Sequence, residues 1–295
     1  MNRDVLPQAL VEAGIDSEIK ATQDLTGGCI HQVRRIMLVD GSSVVVKFNT
    51  ASKQLVFDEE MRGLRALAAT NTVIVPEPLY AGVLGDVAML LMTYILESPA
   101  TDDAWRSFGM DLAALHGRDV GTRYGFDQDN HIGATQQVNT WCDDWVEFMA
   151  QHRLGFQIEL ATKSGLLYEH EVSRIELVVN RLDQWLPRKP RPSLLHGDLW
   201  SGNALPTLDQ DGAARIAIID PAISIGDGWA DIAMMKLFGG FPASCLETYA
   251  SRNDDQENLE SRLMAYQLYH VLNHVNLFGR GYVSQAMGLV DRLLG

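Results

Sequence analysis

The strongest constraint on this chain is one polar stretch, His196-Gly197-Asp198-Leu199-Trp200-Ser201-Gly202-Asn203, followed seventeen residues later by Asp220 at the end of Ile216-Ala217-Ile218-Ile219. A carboxylate, an amide five residues on and a second carboxylate closing an apolar run form the set that phosphoryl transfer from ATP to a hydroxyl requires. One carboxylate takes the acceptor's proton; the amide oxygen and the other carboxylate hold Mg²⁺ against the phosphates. Asp198 is therefore read as the base, and Asn203 and Asp220 as the metal ligands. His196 reads as a hydrogen-bonding structural residue. Gly197 stands where protein kinases carry Arg, and Pro221 follows Asp220 where they carry Phe. Neither a phosphorylation-switched Arg nor a Phe flip is expected, which points to a small-molecule acceptor.

A chain of 295 residues, 46% hydrophobic, can bury one large core or two lobes sharing a cleft. Its net charge of −14 argues against a nucleic-acid surface, which needs clustered Lys and Arg. Any nucleotide site must be locally positive against that field. Cys29, Cys142 and Cys245 are too scattered for a disulfide framework or a zinc site. Met1 to Lys20 lacks a signal-peptide core, and the apolar run Val87 to Leu96 is too short for a bilayer. The expectation is a reduced, cytoplasmic protein with no membrane or nucleic-acid partner, a monomer or weak homodimer.

The first ninety or so residues favour strands. Val33 to Val39 and Ser43 to Phe48 are joined through Asp40-Gly41, a hairpin signal, and Val73 to Pro76 and Val87 to Tyr94 read as further short strands. Lys53 to Ala69 repeats apolar residues near a helical period. From Thr101 the period is mainly helical, with stripes over 101–115, 141–160, 169–186, 257–277 and 283–294. The runs Ser193 to Leu195 and Ala214 to Ile219 bracket the polar stretch. This predicts an α+β, bilobal, protein-kinase-like fold: a small antiparallel β lobe over 1–95 for the nucleotide, and a larger mainly helical lobe over 96–295 for catalysis and the acceptor.

The nucleotide residues follow from placement. Lys47 follows Ser43-Val44-Val45-Val46 in the second strand, the position from which kinases aim a Lys at the α- and β-phosphates. Glu60, on the helix that follows, is the expected ion-pair partner, with Glu59 its rival. Leu25 to His31, with Gly27-Gly28-Cys29 at its centre, is the candidate phosphate loop, because paired glycines let backbone amides approach phosphate oxygens. Cys29 beside those amides and near Lys47 is a candidate redox-sensitive thiol, or simply a small residue that fits. Met92-Thr93-Tyr94 closes the first lobe where a hinge would meet adenine; a core strand is the alternative.

Taken with their surroundings, these residues resemble the fructosamine kinase (ketosamine 3-kinase) family, relatives of the aminoglycoside and choline kinases. The resemblance runs over nearly the whole chain, through Gly27-Gly28-Cys29-Ile30, Val46-Lys47, Asn130-His131-Ile132-Gly133, Gln136 to Trp141, Asp144-Trp145 and Arg153-Leu154. It continues through His196 to Asn203, Asp231-Ile232-Ala233-Met234, Leu237-Phe238-Gly239-Gly240-Phe241, Tyr266 to Phe278 and Gly281-Tyr282. Trp200-Ser201-Gly202 and the Leu-Phe-Gly-Gly-Phe segment belong to this family more than to kinases at large. The resemblance implies ATP-dependent phosphorylation of the 3-hydroxyl of a 1-deoxy-1-amino-ketose of fructosamine or ribulosamine type. The 3-phosphate is unstable and eliminates, so the implied role is repair of glycated amines.

Two departures stand out. Gly226-Asp227-Gly228-Trp229-Ala230-Asp231 lacks the Arg-Glu pair common in the family, and Thr93 occupies a hinge position often held by Glu. For the acceptor, Trp200 either walls the sugar pocket or packs in the core, and Asp231 either steadies the catalytic loop or caps a helix. Trp141 and Trp145, and His270 and His274, are spaced to share helical faces, which favours packing over function or metal. The rival readings are an aminoglycoside or other amino-alcohol kinase, with a broad acidic acceptor cleft, and a nucleotide-binding pseudokinase scaffold, which would bind ATP without turnover.

Overall fold

The computed structural model describes residues 5–25 and 31–295. In chain order it runs α1 (Val5–Glu12), β1 (Ile19–Leu25), β2 (Gln32–Leu38), β3 (Ser43–Thr50), α2 (Gln54–Ala68), β4 (Pro78–Leu84) and β5 (Val87–Thr93). Then come α3 (Asp102–His116), β6 (Asn130–Ile132), β7 (Thr135–Gln137), α4 (Trp145–Phe148), α5 (Phe156–Lys163), α6 (Glu169–Val179) and β8 (Pro192–Leu195). The chain closes with β9 (Ala204–Leu208), β10 (Ala214–Ile218), β11 (Ser224–Asp227), α7 (Trp229–Phe238), α8 (Ala243–Ala250), α9 (Leu259–Phe278) and α10 (Val283–Leu294). Among the described residues, no helix is long and apolar enough to cross a membrane.

Packing divides the chain into two compact units: Met1–Trp105 with Gly202–Pro221, and Arg106–Ser201 with Ala222–Gly295. A single cut at 95/96 would instead leave the segment 202–221 with the second. In the first unit, β1-β2-β3-β5-β4 form one antiparallel sheet. Strand side chains alternate between faces, so the sheet builds two cores. Val44, Val46, Phe48, Met89 and Leu91 pack with Leu6, Ala9 and Leu10 of α1. Ala88, Leu90 and Met92 pack with Phe57 and Leu64 of α2, and Val45 lies against them. The β9–β10 hairpin belongs to the same unit; Ile218 N–H donates to Ile74 O at 2.8 Å and Thr207 Oγ1 to Leu96 O at 2.8 Å.

Several expected elements differ in the fold. Val73 to Pro76 contributes one isolated bridge, Ile74 to Ala217, rather than a strand. The strands that flank the sheet, β1 and β4, carry no alternating apolar pattern that would have marked them. The stripe at 141–160 is broken: α4 starts only at Trp145, where the Asp144 side chain accepts from Glu147 N–H at 3.0 Å as an N-cap. Residues Met149–Gly155 then form a π-helical turn. Trp141 therefore lies outside the helix and shares no helical face with Trp145, which is buried and donates from Nε1 to Tyr266 Oη at 2.8 Å. In the second unit β8 pairs antiparallel with β11, and α9 packs against both α7 and α10.

His270, on α9, is 4% exposed, and its Nδ1 has no hydrogen-bond partner among the described residues. Burial pushes its imidazole down to about 3, with neighbouring His274 adding to the shift. The folded chain thus keeps this ring neutral where the unfolded chain protonates it near pH 6.5, so stability present at neutral pH is lost as pH falls. Denaturation at pH 7, 6, 5 and 4 should show a steeper loss in the native protein than in His270→Phe, by up to about 1.4 kcal/mol per pH unit. Parallel stability curves for the two proteins would contradict this.

Candidate active site

Strand alternation decides where Lys47 points. Val46 and Phe48 face α1, so Lys47 between them faces α2, the side on which Val45 also packs. On α2 the buried residues Phe57, Glu60, Leu64 and Leu67 recur at three- and four-residue spacing, which sets Glu60 into the stripe against the sheet. Lys47 Nζ meets Glu60 Oε1 at 2.6 Å and makes a second ion pair with the Asp220 carboxylate. Burial alone would lower the Lys47 ammonium, but Asp220 and Glu60 outweigh it and raise its pKa, so Lys47 stays a cation. Burial drives the Glu60 carboxyl up to about 7 against the pull of Lys47. His31, the last residue of the candidate phosphate loop, lies in the same neighbourhood. Its ring stacks 4.7 Å from Phe57, its Nδ1 is 3.1 Å from Asn49 Nδ2, and burial followed by the Lys47 charge lowers it to about 4.

The β9–β10 hairpin brings Asn203 and Asp220 together. Ala204 pairs with Ile218, and one step beyond, Ile219 N–H donates to Asn203 O at 3.0 Å. The two candidate metal ligands thus sit at the open end of one hairpin, although seventeen residues separate them. Asp220 itself adopts φ 58°, a left-handed conformation that costs energy for any side chain but is tolerated best by Asn and Asp. A carboxylate and an amide oxygen are hard donors of the kind Mg²⁺ takes. At the candidate hinge, Met92 is buried in the α2-side core. Thr93 N–H donates to Glu77 O at 2.9 Å, and its Oγ1 accepts from Glu77 N–H at 2.9 Å. Tyr94 lies 4.0 Å beneath the Arg35 guanidinium. Gly27, Gly28 and Cys29 fall outside the described residues.

In the second unit, the loop after β8 is organised by a buried carboxylate. Asp231, in the first turn of α7 and 1% exposed, accepts His196 N–H at 2.7 Å on Oδ2 and Gly197 N–H at 2.9 Å on Oδ1. His116 Nε2 lies 3.2 Å from the same Oδ2, and its Nδ1 is 2.9 Å from Tyr249 Oη. Burial would raise the Asp231 carboxyl, but the His116 hydrogen bond and charge outweigh it and lower its pKa. His196 is fully buried, and its Nδ1 accepts Asp198 N–H at 3.3 Å, a structural role. Gly197 has φ 84°, and a Cβ there would fall on the Ala222 carbonyl oxygen, so no side chain fits where protein kinases carry Arg. Ala222 is held in turn: its N–H donates to His196 O at 2.8 Å and its carbonyl accepts Gln137 Nε2 at 3.0 Å. Asp198 is half-buried, and Trp200 is 38% exposed, which removes it from the core.

Residues 3–295, nearly the entire chain, match the fructosamine kinase family. The chain belongs to the fructosamine kinase family. It is accordingly an ATP-dependent kinase whose acceptor is a hydroxyl group. A Synechocystis sp. protein named as a probable ketoamine kinase is 40% identical over 94% of this chain and 91% of its own. A chloroplastic protein-ribulosamine 3-kinase of Oryza sativa is 35% identical over 100% of this chain and 84% of its own. A solved Haemophilus somnus structure carrying the fructosamine-3-kinase name matches at TM-score 0.87 and 27% identity, covering 99% of this chain and 97% of that one. An aminoglycoside phosphotransferase solved with ADP and hygromycin B shares the fold at TM-score 0.66 and 17% identity, covering 99% and 98%.

Within this family, the departure at Gly228-Trp229 has a local explanation. A Cβ at Gly228 would lie 2.7 Å from His116 Nδ1 and 2.8 Å from Tyr249 Oη, so a long cationic side chain has no room there. Trp229 is buried, donates from Nε1 to Asp255 O at 2.7 Å, and packs edge-on against Tyr249 at 5.2 Å. A cation still reaches the buried Asp227, from α9: Arg262 Nε to Asp227 Oδ2 is 2.6 Å, and both terminal nitrogens of Arg262 lie 3.0 Å from Asp255 Oδ2. Tyr266 Oη also donates to Asp227. Nothing local in the sequence links Arg262 to Asp227, thirty-five residues away. The positive φ and blocked Cβ at Gly197 yield a direct expectation. Gly197→Ala should cost about 2–4 kcal/mol and remove turnover by displacing Asp198. A thermal melt beside an ADP-release assay tests this; a native melting temperature with native turnover would contradict it.

Proposed function

We propose that the protein phosphorylates the 3-hydroxyl of a ketosamine, of ribulosamine or fructosamine type, using Mg²⁺ and ATP, in repair of glycated amines. The observation that carries the reading is the ion cluster in which buried Lys47 and Glu60 meet the partly exposed Asp220, with Asn203 beside Asp220, a charge arrangement suited to nucleotide phosphates. Similarity to proteins named ketoamine kinase and ribulosamine 3-kinase supports the acceptor class. MgATP, when bound, supplies the transferable γ-phosphoryl group. Asp198 takes the proton of the 3-hydroxyl as its oxygen forms the new P–O bond, and ADP departs with the old one. Asn203 and Asp220 would hold the metal through oxygen, Lys47 steadied by Glu60 would neutralise phosphate charge, and Gly27, Gly28 and Cys29, outside the described residues, are the candidate phosphate loop. Met92, Thr93 and Tyr94 receive the adenine. Trp200, exposed beside the base in sequence, packs on the sugar carbons. Residues 1–95, joined by the β9–β10 hairpin, carry the nucleotide, and 96–295 the acceptor.

A reduced, cytoplasmic setting is consistent with three scattered cysteines, and a net charge of −14 favours a monomer or at most a weak homodimer. ADP release measured across ribulosamines, erythrulosamines, fructosamines and aminoglycosides tests the acceptor class. Turnover confined to aminoglycosides, or nucleotide binding without any turnover, would overturn the reading.

Asp198→Asn keeps the shape of the base and removes its proton affinity. Turnover should fall by about 10²–10⁴-fold while nucleotide binding persists. Near-native turnover would remove Asp198 from the role.

For the metal, Asp220→Ala should abolish activity and erase the Mg²⁺ dependence of nucleotide binding measured by calorimetry. Unchanged Mg²⁺ dependence would contradict its role as a ligand.

A further inference from the structure

The second unit carries an open aromatic patch that the phosphoryl-transfer machinery does not use. Phe238 at the end of α7, and His274 and Phe278 in the last turns of α9, meet Tyr282 just beyond that helix. The His274 ring lies 4.8 Å from Phe238, 5.1 Å from Tyr282 and 5.4 Å from Phe278, and Phe278 lies 6.0 Å from Tyr282. Two of these rings are open to solvent, Phe278 at 55% and Phe238 at 39% exposure, and His274 and Tyr282 are half-buried beside them. Clustered exposed aromatic surface of this kind marks a binding face.

Two observations tie the patch to the catalytic loop. Gly240, two residues after Phe238, approaches Ser201 so closely that a Cβ would lie 2.5 Å from the Ser201 Cβ. Ser201 follows Trp200, itself 38% exposed. On α9, the buried Tyr269 donates from Oη to Gln137 Oε1 at 2.8 Å, and Gln137 Nε2 donates at 3.0 Å to the Ala222 carbonyl that lies against Gly197. His274 follows Tyr269 by little more than one helical turn. The same helix thus runs from the neighbourhood of the base to the patch.

The chemistry of the patch selects its occupant. Its four side chains include no carboxylate, and the His274 Nδ1 is engaged with His270 O at 2.8 Å. Burial lowers His274, so its ring is neutral at physiological pH. Such a surface offers nothing for a polycation and much for a ring, which stacks offset or edge-on. In a ketosamine, only C1 and C2 separate the nitrogen from the carbon bearing the 3-hydroxyl, so the nitrogen substituent must emerge beside the sugar site. We infer that the Phe238–His274–Phe278–Tyr282 patch is the subsite for the amine-borne half of the ketosamine and favours amines carrying an aromatic ring. This rests on the ketosamine reading above and adds the class of amine to it.

The test uses three ribulosamines, made from methylamine, benzylamine and Nα-acetyl-lysine, with the native protein, Phe278→Ala and Phe278→Tyr. The native protein should use the benzylamine adduct with kcat/KM about tenfold above the methylamine adduct. That ratio should fall to about two in Phe278→Ala and return in Phe278→Tyr, with Tyr282→Ala shifting it in the same direction. Phe278 is exposed, so a folding failure is not expected, and the ratio is internal to each variant. A native protein without benzylamine preference, a ratio unaltered by Phe278→Ala, or a stronger preference for the acetyl-lysine adduct would overturn the inference while leaving the ketosamine reading intact. No turnover on any of the three would overturn both.

Discussion

One buried carboxylate organises the loop after β8. Asp231 is 1% exposed, yet its two oxygens accept successive backbone N–H groups at His196 and Gly197 and lie against the His116 ring. A charge in that position is expensive unless every lone pair is used, and charge-assisted bonds to backbone amides are among the strongest available. The backbone leading into Asp198 is therefore held by α7 rather than by its own short-range turn. The glycine at 197 follows from the same packing, because the Ala222 carbonyl occupies the space a side chain would need. Around Ala222 a second layer of amides closes the arrangement: Gln137 donates to its carbonyl, Asn130 donates to Ile223 O, and both are joined through Asn130 Oδ1.

The first unit solves a different problem, that of keeping cations and anions together under a sheet. Lys47 and Glu60 are almost wholly removed from water, and Asp220 completes the cluster from a left-handed backbone position. Breaking such a pair by removing one member leaves an uncompensated buried charge, which is far costlier than the pair itself is stabilising. The cluster is thus not to be counted as a contribution to stability. The hairpin that delivers Asn203 and Asp220 side by side is anchored through Ile74 and Leu96.

Much of this was legible in the chain, and the failures have causes. The central strands, α2 and α10 were readable because their apolar period is regular. β1 has the sequence IKATQDL, with five exposed central positions, so no buried face imprints a pattern on it. β6 and β7 are three residues each, too short for any period. The helix expected from 141 begins at Trp145 because Asp144 caps it, and the π-turn after it places the buried Arg153 where Val138 O and Asn139 Oδ1 receive its guanidinium. Burial lowers that guanidinium to about 10, an environment no local rule foresees. Trp200, open to either reading in sequence, emerges at the surface.

Sequence by itself determined the chemistry-bearing residue types and their order: carboxylate, amide and second carboxylate at fixed spacing, a lysine within an apolar strand, and a glutamate within a helical stripe. Those properties are local, since side-chain period and motif spacing depend on neighbours a few positions away. Tertiary structure alone decided which distant groups complete them. Asp231 reaches the loop from thirty-five residues beyond His196, Arg262 reaches Asp227 from α9, and four rings from two helices and a turn converge on one patch. Such contacts depend on how whole elements pack, and packing is governed by volume and by satisfying buried polar groups over the entire core, which no short window of sequence encodes.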